Sequence, residues 1–82
     1  MAECRAEIDR IDREMLELLA RRLAVAARAG GLKRQLGMPV SDPVRERAVL
    51  DSLEARLPDG FPSGAAEPVW QAIFAASRRV QA

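Results

Sequence analysis

Apolar residues recur along the first part of the chain in two interleaved series. Ile8, Met15 and Ala29 stand seven or fourteen apart, and Ile11, Leu18, Val25 and Leu32 follow at the same interval. That is the a/d seam of a helix that packs along its length on another helix. Leu16, Leu19, Leu23 and Ala26 widen the stripe, as a bundle helix requires. No proline falls between Ala2 and Leu36, and glycine occurs there only at Gly30-Gly31. The helix could break at that pair, and carrying it through costs about 1 kcal/mol per glycine. The pattern predicts one helix over residues 2–36. Its charges are polarised: residues 2–17 hold six acids and three arginines, while residues 18–35 hold five cations and no acid. This complements the helix dipole. It also favours antiparallel pairing of two copies, acidic half against basic half.

Gly37-Met38-Pro39-Val40 ends the first helix. Asp42 is a good N-cap and Pro43 suits the first helical position, so a second helix is expected over 43–57. Val49, Leu50, Leu53 and Leu57 would face inward. Residues 58–64 are a loop by composition. A third helix is expected over 65–81, with Val69, Trp70, Ile73, Phe74, Ser77 and Val80 on its inner side. The fold class is all-α, in a single domain over residues 1–82. The first helix would be roughly 50 Å long. A compact chain of this size has a diameter of roughly 30 Å. Ile8 and Leu32, near opposite ends of that helix, need cover from a second chain. The expected assembly is therefore an intertwined helical homodimer of three-helix protomers.

Composition supports this need for a partner. Eighty-two residues build a modest core, and chains this short often rely on disulfides, metals or association. A lone Cys4 forms no internal disulfide. With no histidine, zinc ligation and the Ser-His-Asp and Cys-His catalytic schemes lack their parts. The expectation is no metal and no cofactor. A net charge of +1 makes nucleic acid a poor partner. The charged start has no apolar signal segment, and no run approaches the ~18 apolar residues of a membrane span. A cytoplasmic protein without a membrane partner is expected. Of thirteen cations, Lys33 is the single lysine.

Several polar residues stand in apolar places. Arg22 occupies the heptad position between Met15 and Ala29. A guanidinium there must be paired, by an internal salt bridge, by reaching the rim, or by a ligand. Lys33 lies eleven residues on, within about 20° of the same face. On its own it would read as a solvated lysine. Arg5 is roughly 25 Å from Arg22 along the helix, and only antiparallel pairing brings it to the Arg22–Lys33 half of another copy. Asp42, Arg45 and Glu46 cluster at the start of the second helix, where Asp42 doubles as a cap. On the third helix, Trp70, Phe74, Ser77 and Gln81 share a stripe that turns from apolar to hydrogen-bonding. Together these describe a cavity with several cations, one or two carboxylates and neutral donors, and no nucleophile–base pair. It suits a compact polyanion and chemistry driven by binding and electrostatics.

These residues, in order, resemble the all-α AroQ chorismate mutases. The resemblance is carried by Arg5-Ala6-Glu7-Ile8-Asp9-Arg10-Ile11-Asp12, Leu18 to Arg22, Lys33, Pro39 to Glu46, Ser77 and Gln81. It implies two interlocked three-helix protomers with two shared sites and no cofactor. The reaction implied is the [3,3] Claisen rearrangement of chorismate to prephenate, toward phenylalanine and tyrosine. By the same resemblance, Arg22 and the Arg5 of a second copy would grip the substrate's carboxylates, aided by Ser77. Lys33 and Gln81 would flank the ether oxygen. Glu46 would hold the ring hydroxyl, with Asp42 and Arg45 completing that wall. The glycine- and proline-rich segment before the third helix does not align closely. Isochorismate pyruvate lyase and 4-amino-4-deoxychorismate mutase are alternatives on the same fold. A non-catalytic helical dimerisation module would explain the heptad, but not Arg22 within it.

Overall fold

The computed structural model describes residues 1–82 as three helices and no strand: α1 (Ala2–Leu36), α2 (Pro43–Glu54) and α3 (Ala66–Gln81). The all-α, three-helix expectation holds. α1 runs through Gly30-Gly31 without a break. It stops at Gly37, whose φ of 69° lies in the left-handed region. The Met38 amide reaches back to the Lys33 carbonyl at 2.8 Å, satisfying one of the carbonyls a helix end leaves open.

α2 starts as its sequence dictates. Pro43 opens it, and the Asp42 carboxylate accepts the Arg45 amide at 3.0 Å. It ends at Glu54, about a turn before the expected Leu57. Pro58 keeps Leu57 out of the helix, because the residue before a proline is driven from helical to extended backbone, and ahead of it the Arg56 amide tightens onto the Leu53 carbonyl at 3.0 Å. Leu57 still packs half-buried beyond the helix end. α3 begins at Ala66 with Pro68 in its first turn.

α3 packs on both α1 and α2, while the backbones of α1 and α2 stay apart. The stripe that α1 turns to α3 is Leu19, Leu23, Ala26 and Gly30, at intervals of four, three and four. It is not the heptad seam. Ile11, Leu18, Val25 and Leu32 are all about half exposed or more. On α3, Ala66, Phe74, Ser77 and Gln81 are buried. Val69 and Val80, expected on its inner side, are exposed. Their positions flank the stripe that reaches α1 and α2 within one chain. An exposed Arg47 bridges Asp51 and Glu67, which contributes little.

The molecule measures 51 × 25 × 15 Å, and its radius of gyration is 15.4 Å. A compact chain of this length would have a radius near 12 Å. The excess is the N-terminal half of α1, where every residue through Leu18 is exposed. No helix is long and apolar enough to cross a membrane.

Candidate active site

A cavity of about 590 Å³ lies between the C-terminal half of α1, the first turn of α2 and the last turns of α3. Its size fits a small organic ligand. Arg22, Lys33, Asp42, Arg45, Glu46, Ser77 and Gln81 all border it. Seven of the eight residues singled out in the sequence are thus brought together. The eighth, Arg5, is on the exposed first turns of α1 and does not border its own chain's cavity.

Arg22 resolves its place in the heptad without a carboxylate. Its Nη1 donates to Ser77 Oγ at 2.7 Å, and its guanidinium carbon lies 5.8 Å from the Phe74 ring centroid. A cation over an aromatic face is stabilised by the ring quadrupole. Ser77 in turn donates to the Ile73 carbonyl at 2.9 Å, the back-bond a helical serine commonly makes. Its hydroxyl therefore holds Arg22 while its own proton is directed at the helix backbone.

Lys33 donates to Gln81 Oε1 at 2.8 Å and reaches the Val40 carbonyl at 3.4 Å. An ammonium only donates, so the Gln81 amide must turn its oxygen to Lys33. The NH₂ group is left as the free donor. Gln81 is held further by Arg34, whose Nη1 donates to the Gln81 carbonyl at 2.7 Å. A cation at that point also complements the C-terminal end of α3. Gly30 completes the seat. A Cβ there would lie 2.7 Å from Gln81 Cα, so only glycine lets α1 and α3 approach this closely.

Asp42 serves as the cap of α2, and its turn aims Arg45 and Glu46 at the cavity. Glu46 accepts from Arg78 Nη1 at 2.6 Å. Neither Arg22 nor Lys33 has a carboxylate within salt-bridge distance. With Arg21 and Arg78, five cations and two carboxylates border the cavity, which is net positive. Arg21, Gly30, Arg34 and Arg78 escaped the sequence reading. Arg78 had a signal, because it falls four residues after Phe74 and three before Gln81 on the same stripe. Gly30 had the opposite signal, since a glycine in a helix reads as a break.

The sequence and the helical fold around this cavity match known proteins. A family model for chorismate mutase type II matches residues 4–82. The chain belongs to that family. A chorismate mutase of Methanocaldococcus jannaschii is 42% identical over 53 residues, which are 65% of this chain and 54% of that protein. A bifunctional chorismate mutase/prephenate dehydratase of Aquifex aeolicus is 42% identical over 53 residues, 65% of this chain and 15% of that protein. The match thus spans about half of the first relative and a small part of the second. Among solved structures, form II of the Thermus thermophilus chorismate mutase superposes with a TM-score of 0.89 at 38% identity, covering 94% of this chain and 88% of that one. The three helices of this chorismate mutase family member are therefore the family fold.

Proposed function

We propose that the chain rearranges chorismate to prephenate. The observation that carries this is the pair of cations, Arg22 and Lys33, that face one cavity with neutral partners and no carboxylate. Two unneutralised charges in a half-buried site favour a ligand that brings two negative charges. Chorismate carries two carboxylates and an enolpyruvyl ether.

The chemistry follows from the donors. In the pericyclic step the ether bond lengthens and negative charge grows on its oxygen. Lys33 and the Gln81 NH₂ are donors suited to that oxygen, and their mutual bond holds them before substrate arrives. They accelerate the step because the oxygen is more negative in the transition state than in the substrate. Arg22 grips a carboxylate with a planar fork. Ser77 orients Arg22, and donates to a carboxylate only by turning its proton from Ile73. Glu46 accepts the ring hydroxyl, beside Asp42 and Arg45. Holding the substrate in its compact diaxial form supplies the orientational part.

The site is completed by Arg5 of a second copy in a homodimer. Three observations support this. The heptad seam is exposed, an apolar groove of about 690 Å³ lies between α1 and α3 beside Met15, Leu16 and Trp70, and the two halves of α1 carry opposite charge. Antiparallel pairing buries the seam and matches the charges. A cytoplasmic setting fits such an enzyme.

The deciding experiment follows chorismate loss and prephenate appearance, with isochorismate as a parallel substrate. Prephenate formation is expected. Pyruvate release from isochorismate alone would favour the lyase, and turnover of neither would leave a dimerisation module.

A further inference from the structure

One cation in the cavity wall, Arg78, has no part in the proposed mechanism. Glu46, in the first turn of α2, and Arg78, in the last turn of α3, meet at 2.6 Å, and both border the cavity. Their side chains are 24% and 38% exposed, so the pair is partly screened from water. Arg78 donates to Oε2 of Glu46, and no protein donor meets Oε1. Arg78 makes no other bond through its side chain, and it borders the cavity beside Ser77 and Gln81.

We infer that Arg78 is a positioning and specificity residue. It holds Glu46 and balances its charge, so that the wall accepts a neutral ring hydroxyl and rejects an ammonium at the same ring carbon. This deepens the mutase reading and rests on it. The physical reason lies in what each group needs from Glu46. A hydroxyl donates one hydrogen bond and brings no charge, so the single open oxygen, Oε1, satisfies it. An ammonium is stabilised near an unbalanced carboxylate. Here it meets a carboxylate already neutralised, with the cations Arg78 and Arg45 beside it. Arg78 also spans α2 and α3, whose packing sets how far Glu46 stands from the Lys33–Gln81 end. The discrimination applies to the otherwise similar substrates chorismate and 4-amino-4-deoxychorismate, whose amine is protonated at neutral pH.

The test compares kcat/KM for these two substrates in the native protein, in R78M and in R78K. The native protein is expected to prefer the hydroxyl substrate. R78M should lower that preference about tenfold or more, mainly by lowering KM for the ammonium substrate, because removing a charge partner unmasks Glu46. R78K keeps the charge and should keep most of the preference. In an E46Q background, R78M should leave the preference unchanged, as expected of a residue that acts through Glu46. An unchanged preference in R78M of native helicity and Tm would overturn the assignment, and R78Q serves if the methionine variant does not fold. A native protein that prefers the ammonium substrate would overturn it without any variant. Turnover of neither substrate would instead remove the mutase reading on which it stands.

Discussion

Arg22 and Lys33 differ in how they are held, and that difference sets what each can do. Arg22 is fixed by the Ser77 hydroxyl and the face of Phe74, a rigid platform for a planar guanidinium. Lys33 is fixed by Gln81 Oε1 at 2.8 Å, with the Val40 carbonyl more distant at 3.4 Å, so it keeps protons available for a ligand. Substitution K33A should lower kcat/KM by about 3 kcal/mol of transition-state stabilisation, the order seen when a preorganised donor is lost. Near-native kcat/KM from steady-state kinetics would reject its assignment. Gln81 offers a test of sign. In Q81E the introduced carboxyl can accept from Lys33 in either form, but it donates to an ether oxygen only when protonated. Activity should be highest at acid pH and fall as pH rises through the titration of that carboxyl. A flat and high pH profile of kcat would remove Gln81 from the reaction.

At the level of elements, the site depends on how closely α1 and α3 approach. Gly30 sets that distance, because a methyl group there would meet Gln81 backbone and Cβ at 2.7–2.9 Å. The intrinsic helix penalty of glycine is about 1 kcal/mol relative to alanine. G30A should therefore gain helix propensity on α1 yet push the end of α3 outward. The displacement should lower kcat about tenfold to a hundredfold, since a misplacement near 1 Å is enough for that. The loss should appear with α1 helicity by circular dichroism preserved. Undiminished kcat would show that the contact is not needed to seat Gln81.

At the level of the molecule, the distinguishing feature is an arm without a core of its own. The N-terminal half of α1 is exposed through Leu18, and Arg5 lies on it. If Arg5 serves the site of another copy, two inactive variants should rescue one another. A mixed dimer of R5A and K33A holds one site with both defects and one site with none. Refolding the two variants together should restore about a quarter of native activity, because half of the dimers are mixed and each keeps one of two sites. No recovery would mean that Arg5 acts within one chain or not at all. Size-exclusion chromatography with light scattering should give twice the chain mass.

Much of this was legible in residue order. Helix starts and stops are local events, so Asp42-Pro43 and Gly37 mark them correctly; α3 starts one residue later than expected, and the larger difference is the end of α2, three residues early. The clustering of Arg22, Lys33, Asp42, Glu46, Ser77 and Gln81 was legible because helical periodicity puts them on inward faces, and the family resemblance joined the faces. Periodicity did not tell which of two apolar stripes on α1 meets α3. That choice belongs to tertiary packing, where Gly30 lets the end of α3 come close and most of the heptad seam is left outside. The pairing of Arg78 with Glu46, and the turning of the Gln81 amide toward Lys33, are contacts between residues 32 and 48 apart. By itself the sequence determined the helices, their ends and the kinds of charge on each face, because these depend on neighbours within a turn or two. Only the tertiary structure decided which charges are neutralised and which remain open to a ligand, because that depends on distances across helices that no spacing along one chain encodes.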